Sequence, residues 1–332
     1  MSVARSGPSN SALAQAIDLL PRDMGLAIAS LGEGVLEQLE EIRLRVGQPL
    51  ELCWRQRSTF LAPDGGLTTS PDRSLRVSAG ELSHVLHRLT QFSRYAVEED
   101  MRQGFVTLPG GHRVGIAGRA VVESGRVRAF RHVTSLNIRL SRDHPGAARA
   151  LLPYVYDRGS HRPLSSLVLS PPQCGKTTLV RDVARRFSYG DFAPGEAGLK
   201  VAVIDERSEI AGSVDGIPQF DLGPRVDVLD GCPKAEGMMM AIRSLSPRVV
   251  VTDEIGRVED AEAVLEASLA GVAVVATAHA ASLEAWRRRP GMEPLFDARA
   301  FDRYIVLSRR HGPGTIEAVL DAEGKPLGRG GR

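Results

Sequence analysis

Residues 170–178 read Ser-Pro-Pro-Gln-Cys-Gly-Lys-Thr-Thr and directly follow the apolar run Leu167-Val-Leu169. This order is typical of a strand that leads into a phosphate-binding loop and then into a helix, which here begins near Lys176. Backbone N–H groups of the loop, the positive end of the helix and the lysine together attract the negative charge of a triphosphate. We therefore expect Lys176 to contact the terminal phosphates and the Thr177 hydroxyl to bind Mg²⁺. The candidate nucleotide-binding residues of this loop are Ser170, Pro171, Pro172, Gln173, Cys174, Gly175, Lys176, Thr177 and Thr178.

The loop departs from the usual pattern at two positions. Ser170 stands where a glycine usually opens the motif, and Gln173 stands where a mid-loop glycine is common. If either position requires a positive φ angle, a residue other than glycine there costs about 1 kcal/mol or more. A strand, turn and helix that bind no phosphate are therefore the alternative that this motif alone leaves open.

Length and composition favour a globular protein of two domains. The chain has 332 residues, of which 42% are hydrophobic and 25% charged, and its net charge is +2. This length is typical of two domains of roughly 150 residues each. The cysteines Cys53, Cys174 and Cys232 are far apart, which favours a reducing compartment over a disulfide framework or a zinc site. The polar first residues and the lack of an apolar run of about 18–20 residues predict a cytoplasmic protein that meets the membrane through a partner.

The N-terminal part of the sequence predicts a small α+β domain over residues 1–142, with residues 1–11 disordered. Charged and apolar residues alternate in Glu41–Val46, as in a half-buried strand. Residues 78–91 have the apolar spacing of a helix that Ser78 caps together with Glu81. We interpret residues 104–140 as a run of short strands, with turns at Gly110-Gly111 and Ser124-Gly125.

The C-terminal part predicts an α/β domain. Turn signals at Asp143–Gly146 and Gly159–Pro163 place a linker at 143–163, so that the core covers 164–322 and a flexible tail covers 323–332. Strand and helix patterns then alternate over 164–170, 176–188, 199–205, 234–246, 248–253, 257–270 and 272–278. This alternation predicts a mainly parallel sheet with helices on both faces.

Several of these predicted strands end in groups that can bind or polarise a nucleotide. Arg248-Val-Val-Val-Thr-Asp253-Glu254 is an apolar strand that ends in two carboxylates. In phosphate-loop enzymes such a strand points its acids at Mg²⁺ and the γ-phosphate, so Asp253 is expected to act on the metal indirectly and Glu254 on the attacking water. A second strand ends at Asp205-Glu206 and is followed by Glu209, and a third ends at His279.

Parallel strands bring their carboxyl ends to one edge of a sheet, which is the usual ligand edge of such folds. We therefore expect Glu254, Glu209 and His279 to be the catalytic candidates around one nucleotide, with Asp205, Glu206 and Asp253 as further binding candidates. The reaction that this set favours is Mg²⁺-dependent ATP hydrolysis. The alternative for Asp205 and Glu209 is that they cap the turn or pair with Arg207. For His279 the alternative is an ordinary structural histidine.

The longer sequence motifs are more specific than the short ones described so far. Four segments together resemble the stage III sporulation protein AA family. They are Asp230-Gly-Cys-Pro-Lys-Ala-Glu-Gly-Met-Met-Met-Ala-Ile-Arg-Ser-Leu-Ser-Pro247, Asp205–Ile210, Asp253–Asp260 and Leu307–Gly314. The resemblance covers roughly residues 40–322 and is strongest from 165 to 315. That family is similar to the ATPases of type II and type IV secretion and pilus systems. The acidic box of those enzymes looks like residues 254–257 here, the histidine box like residues 277–279, and the additional acidic box like residues 205–209.

The resemblance implies a RecA-like P-loop core and a ring, in this case a hexamer, that hydrolyses ATP at subunit boundaries. It further implies assembly at the forespore membrane, on the mother-cell side, by docking onto small membrane proteins of one sporulation complex. Secretion ATPases commonly have glycine at the position of Asp253, so the resemblance supports a role for Glu254 but not for Asp253. The tetracysteine metal module of those ATPases is absent from this sequence.

Arginines are concentrated in residues 112–142, against the single acid Glu123. An arginine fork bonds phosphate oxygens in pairs, so some of these residues are expected to reach a nucleotide in the same or an adjacent subunit. The resemblance to secretion ATPases places such arginines in the N-terminal domain, and Arg131 and Arg139 are the candidates. The alternative is a solvated, arginine-rich face of a sheet.

Two other function classes stay open. A basic stripe beside an ATPase core would suit a motor that moves along nucleic acid, although Phe130 is the main aromatic residue there that could stack on a base. A scaffold that binds nucleotide without essential hydrolysis would suit the altered loop.

Overall fold

The computed structural model describes residues 8–54, 57–91 and 104–328. The chain divides into two compact units, Met1–Arg142 and Asp143–Arg332. Residues 1–7, which belong to the segment for which disorder is expected, lie outside the described residues. Within the described ranges, no helix has both the length and the apolar character that a bilayer crossing requires.

The N-terminal unit is built on one antiparallel sheet with helices packed against it. Its helices are α1 (Pro8–Asp18), α2 (Arg22–Ala29), α3 (Glu33–Leu36) and α4 (Ala79–Gln91). Its strands are β1 (Leu39–Arg45), β2 (Glu51–Trp54), β3 (Arg57–Leu61), β4 (Leu67–Thr68), β5 (Phe105–Leu108), β6 (His112–Glu123) and β7 (Arg126–Arg139). The strand order is β4-β3-β2-β1-β7-β6-β5.

Local sequence accounts for these elements. In β1 the alternation predicted from the sequence buries Ile42 and Leu44 completely and leaves Arg43, between them, on the other face. The Ser78 hydroxyl accepts a hydrogen bond from the Glu81 amide at 3.2 Å, and the Glu81 carboxylate accepts one from the Ser78 amide at 2.7 Å. The predicted capping box of α4 is thus confirmed.

The region 104–140 differs from the expected run of short strands. The turns at Gly110-Gly111 and at Ser124-Gly125 are present, and all four residues have positive φ angles. Between and after them, however, β6 and β7 are 12 and 14 residues long and pair with each other along most of their length. The prediction of short strands was wrong because the two strands continue through the irregularities of their ladder, at 117–119 and 121–122, instead of ending there.

The C-terminal unit is built on a mainly parallel sheet. Its strands are β8 (Tyr156–Asp157), β9 (Arg162–Pro163), β10 (Ser166–Ser170), β11 (Val201–Asp205), β12 (Val226–Asp230), β13 (Val249–Glu254), β14 (Ala273–His279), β15 (Arg303–Ser308) and β16 (Thr315–Leu320). Its helices are α5 (Leu152–Val155), α6 (Lys176–Tyr189), α7 (Lys234–Ser244), α8 (Val258–Leu269), α9 (Leu283–Arg287) and α10 (Glu293–Asp297). The strand order of the large sheet is β12-β11-β13-β14-β10-β15-β16, and β8 pairs with β9 alone.

Both faces of the large sheet are buried, as the continuous apolar runs of its strands predict. Val168 of β10 lies in the cluster that also contains Val180 and Phe187 of α6. Its neighbour Leu167 belongs to the opposite cluster, which contains Val264 of α8. All pairs in this sheet are parallel except β15 with β16. The expected α/β core with a mainly parallel sheet is confirmed.

Candidate nucleotide-binding site

Three strands of the large sheet end side by side at the candidate site. In the parallel register, Ser170 at the end of β10 pairs with His279 at the end of β14. Glu254 at the end of β13 pairs with Thr277 of β14, after an irregularity in the ladder. The phosphate loop, Glu254 and His279 therefore lie at the same edge, as expected for ligand sites in open α/β sheets.

The loop has the backbone conformation of an anion site. Gly175 precedes α6 with a φ angle of 83°, and no side chain caps the helix at this end. A Cβ atom on Gly175 would lie 3.2 Å from the Gly314 nitrogen, so a side chain is disfavoured by tight packing as well as by conformation. Gln173 has a φ angle of 61°, whereas Ser170 continues strand β10. Of the two departures from the usual motif, Gln173 is thus the strained one.

The remaining loop residues lie around this turn. The thiol of the buried Cys174 is 3.6 Å from the Pro172 carbonyl oxygen. Pro171 is exposed. Thr177 and Thr178 are half-buried in the first turn of α6.

Lys176 is buried, and its ammonium group turns back onto the loop. Its Nζ atom lies 3.1 Å from the Ser170 carbonyl oxygen, the Ser170 hydroxyl and the Pro171 carbonyl oxygen. The fourth contact, also at 3.1 Å, is with Nδ1 of His279. Burial lowers the pKa of Lys176, although the Cys174 and Glu254 side chains act in the opposite direction. A phosphate anion would therefore bind an ammonium group that is shielded from water and is held by oxygen atoms of the loop.

His279 connects the lysine to the acidic strand end. Its Nε2 atom lies 3.4 Å from the carboxylate of Glu254, on the side of the ring away from Lys176. A guanidinium nitrogen of Arg207 lies 3.9 Å from the same carboxylate. Glu254 and His279 are both half-buried, which leaves them accessible from the open edge of the sheet.

Asp205 and Glu209 belong to one turn after β11. Asp205 is completely buried, and its carboxylate oxygens accept hydrogen bonds from the amides of Glu209, Ile210 and Ala211 at 2.7–3.0 Å. Burial raises the pKa of Asp205, and these amide hydrogen bonds oppose the rise. The side chain of Asp205 thus holds the turn that carries Glu209. Its predicted role in nucleotide binding stays a prediction.

Lys234 joins the ends of β11 and β13. Its Nζ atom forms an ion pair with Glu206 and lies 3.3 Å from a carboxylate oxygen of Asp253. That oxygen is buried and accepts no well-aligned hydrogen bond. Burial raises the pKa of Asp253 to about 7, while Lys234 acts to lower it. For Lys234, burial acts to lower the pKa, but the Asp253 and Glu206 carboxylates raise it overall.

Arg131 and Arg139 lie in the N-terminal unit, on β7. Both side chains are exposed. Arg131 pairs across the hairpin with Arg119, and the Nε atom of Arg139 lies 3.6 Å from the Glu41 carboxylate. Their predicted contact with a nucleotide stays a prediction.

The residues at this sheet edge fit a Mg²⁺-nucleotide. The uncapped start of α6 and the buried Lys176 ammonium together suit a polyphosphate. In the described ranges, no group of three or more His, Cys, Asp and Glu side chains forms a metal site. Mg²⁺ in nucleotide sites is usually held by one or two protein ligands, with phosphates and water completing the shell. The Thr177 hydroxyl, with Asp253 acting through water, matches that smaller requirement.

Sequence reasoning missed two buried cations near the site, Lys234 and Arg181. Lys234 is the first residue of α7, where the helix dipole disfavours a positive charge, and this misplacement was the available signal. Arg181 is buried on α6, and its guanidinium bonds the carbonyl oxygens of Glu209 and Ile210. A third omission is the loop 309–314: the Gly314 amide donates to the Cys174 carbonyl oxygen at 2.8 Å.

Comparison with known proteins supports the resemblance noted in the sequence. Residues 28–327 match the family described as "Sporulation stage III, protein AA". The chain is 45% identical over 314 residues to stage III sporulation protein AA of Bacillus subtilis (strain 168), covering 94% of this chain and 96% of that protein.

Two solved structures resemble the fold. The Legionella pneumophila ATPase DotB aligns with a TM-score of 0.56 and 16% identity, over 92% of this chain and 78% of that one. The pilus retraction motor PilT, solved with bound ADP, aligns with a TM-score of 0.50 and 15% identity, over 82% and 76%. At these identities the likeness concerns the fold alone, and the expected RecA-like core preceded by a smaller N-terminal domain is confirmed. The chain therefore belongs to the stage III sporulation protein AA family and has the fold of secretion and pilus ATPases.

Proposed function

We propose that this protein is a Mg²⁺-dependent ATPase of the secretion-motor type that works in a sporulation membrane complex. The observation that carries the proposal is the line of contacts from Lys176 through His279 to Glu254 at the end of three parallel strands. A cation that binds phosphate and a carboxylate that acts on the attacking water suit hydrolysis of a phosphoanhydride, because the protein supplies charge and positioning rather than a covalent intermediate.

Each residue has a distinct role in this proposal. Lys176 binds the terminal phosphates, and Glu254 accepts a proton from the water that attacks the γ-phosphate, giving ADP and phosphate. His279 orients Glu254 and responds to the γ-phosphate through Lys176. Glu209 is the second candidate for activating the water. When bound, Mg²⁺ would neutralise charge on the phosphates, and Thr177 and Asp253 would hold it.

The family and the fold support a wider context for this activity. We propose that the subunits form a homo-oligomer, in this case a hexameric ring, and that Arg131 or Arg139 reaches a nucleotide in its own or the adjacent subunit. The ring would dock onto small membrane proteins of the complex on the mother-cell side of the forespore membrane. There it would couple ATP turnover to assembly or transport.

ATP turnover measured against protein concentration tests this proposal, with nucleotide binding recorded on the same samples. The ATP turnover rate of the wild type should rise more steeply than linearly with protein concentration. Glu254→Gln should bind nucleotide and lose turnover, since a general base typically contributes about 10²–10⁴-fold. Glu259→Gln is the matched control, because Glu259 is an exposed acid on α8. Full turnover in Glu254→Gln would contradict the assignment.

A nucleotide-binding scaffold without hydrolysis is the second candidate. Two observations favour it: the loop's own oxygen atoms already satisfy the Lys176 ammonium, and Gln173 is strained. In that case the wild type would bind ATP and assemble without turnover, in the absence and presence of its membrane partners. Turnover that rises on addition of DNA or RNA would instead identify a nucleic-acid motor.

A further inference from the structure

The turn that carries Glu209 is held between two buried groups of opposite charge. We define the Glu209 turn as residues 205–211. The carboxylate of Asp205 accepts hydrogen bonds from three backbone amides of this turn, those of Glu209, Ile210 and Ala211, at 2.7–3.0 Å. One side of the turn is therefore fixed by an anion that is itself completely buried.

The other side of the turn is fixed by Arg181. The guanidinium Nε donates to the Ile210 carbonyl oxygen at 2.6 Å, and a second nitrogen donates to the Glu209 carbonyl oxygen at 2.7 Å. The guanidinium carbon lies 3.8 Å from the centre of the Phe220 ring. A planar fork that bonds two successive carbonyls and stacks on an aromatic ring has little freedom to move.

Arg181 also belongs to the helix that begins the nucleotide site. It lies five residues after Lys176 in α6, which is about 7.5 Å along the helix axis. The same buried side chain thus ties the Glu209 turn to the helix whose first turn faces the phosphates. Replacing buried charges by apolar residues is often neutral or stabilising, so stability alone does not explain a buried arginine here.

The backbone next to Glu209 is strained, and the hydrogen bonds from Asp205 and Arg181 to the turn stabilise this conformation. Ser208 has a φ angle of 51°, and its hydroxyl donates to the Asp230 carboxylate at 2.7 Å. A residue other than glycine in this region persists only where its surroundings impose it, and such sites are concentrated at functional positions. The negative charge of Glu209 acts on the pKa of both Lys176 and Asp253, which places it electrostatically at the candidate site.

We propose that Arg181 is a positioning residue that sets the place of Glu209 relative to the phosphate loop, and that Asp205 completes this clamp from the opposite side. The inference rests on the proposed ATPase function only in its kinetic part. In its structural part it concerns the nucleotide-free protein.

Arg181→Lys is the central test, because lysine keeps the buried charge but cannot bond both carbonyls in the fork geometry. We expect kcat for ATP to fall about tenfold or more, since small misplacements of reacting groups cost up to about 10²-fold. Nucleotide affinity should change less than about threefold. In nucleotide-free protein, the amides of Glu209, Ile210 and Ala211 should exchange with deuterium faster than in the wild type.

Arg185→Lys is the matched control. Arg185 is also buried on α6, but its guanidinium bonds the carboxylates of Asp182 and Asp143 rather than the carbonyl oxygens of Glu209 and Ile210. The Arg185→Lys variant should be less stable than the wild type. It should show no selective loss of kcat, and the amides of the Glu209 turn should stay protected from deuterium exchange. Equal kcat losses in the two variants, scaling with lost stability, would overturn the inference.

A double-variant cycle tests whether Arg181 acts through Glu209. In a Glu209→Gln background, Arg181→Lys should cause no further loss of kcat, because residues that act as a unit are not additive. Additive losses would contradict the proposal. If Arg181→Lys does not fold, Asp205→Asn removes the clamp from its other side and should reproduce the same kinetic and exchange pattern.

The two proposals fail in different ways. A wild type that binds ATP without turnover would refute the proposed ATPase function, and the exchange measurement would still decide the clamp. Unchanged amide exchange in Arg181→Lys and Asp205→Asn would refute the clamp, whatever the turnover of the wild type.

Discussion

The Nδ1 atom of His279 lies 3.1 Å from Nζ of Lys176, and the opposite ring nitrogen faces Glu254 at 3.4 Å. An ammonium group has only donors, so Nδ1 must be an acceptor and therefore carries no proton. The ring hydrogen of the neutral form then resides on Nε2, on the side of the ring that faces the Glu254 carboxylate. The contact with Lys176 thus assigns the tautomer of His279, whose ring lies between Lys176 and Glu254.

This relationship predicts the effect of removing the ring. His279→Ala should lower kcat by about 10–100-fold, since orientation of a catalytic group typically contributes part of the roughly 10²–10⁴-fold of general base catalysis. The nucleotide dissociation constant should stay within about threefold, because Lys176 remains. Single-turnover ATP hydrolysis and equilibrium binding of a fluorescent ATP analogue measure the two effects. His161→Ala is the control, since His161 is exposed and pairs with Glu196. Equal losses of binding and turnover would show that His279 is only structural.

Lys176→Ala should act on binding. It removes the buried ammonium that the loop holds, and a hydrogen bond to a charged group contributes about 1.5–3 kcal/mol, or roughly 10–150-fold in affinity. Equilibrium titration with the same ATP analogue measures the loss, and Lys200→Ala provides an exposed lysine in the same unit as the control. Unchanged affinity in Lys176→Ala would mean that the loop does not bind phosphate.

Gly175→Ala should destabilise the C-terminal unit and weaken nucleotide binding together. Its φ angle of 83° disfavours a side chain, and a Cβ atom would crowd the Gly314 nitrogen at 3.2 Å. The left-handed conformation alone costs about 1–2 kcal/mol for a residue with a Cβ atom. Urea unfolding measures this cost. Gly159→Ala should be nearly neutral, because its φ angle is not positive and its Cβ would meet only Asp157 at 3.4 Å.

The pair of Lys234 and Asp253 should couple strongly. Lys234→Met leaves two carboxylates without their cation and should destabilise the protein by about 3–5 kcal/mol, the usual effect of breaking a buried ion pair. Adding Asp253→Asn should recover part of this loss, with a coupling free energy of about 0.5–3 kcal/mol. Urea unfolding in a Trp54→Phe background reports on the C-terminal unit through Trp286, the other tryptophan of the chain. Additive effects would show that Asp253 and Lys234 act independently.

Local sequence patterns predicted much of the C-terminal fold. The strand expected at 248–253 is Val249–Glu254, and the helix expected at 176–188 is Lys176–Tyr189. These elements were predictable because a buried parallel strand is a continuous apolar run and the helix start follows the phosphate-loop glycine. The sequence analysis did not identify the strands Val226–Asp230, Arg303–Ser308 and Thr315–Leu320. Val226–Asp230 and Thr315–Leu320 are the two edge strands of the sheet, where half-exposed strands carry a weaker apolar signal, and Arg303–Ser308 lies next to the second of them.

The sequence by itself determined the loop that leads into α6, the acids and the histidine at the strand ends, and the family motifs around them, and it predicted a nucleotide site from these. These are local features, since a loop conformation or a strand end depends on a few consecutive residues. Only the tertiary structure decided which charges meet. Lys176 contacts His279 across 103 residues, and Arg181 and Lys234 each bond residues 28 or more positions away. Such pairs depend on strand order and register, which the hydrophobic pattern of a single segment does not encode.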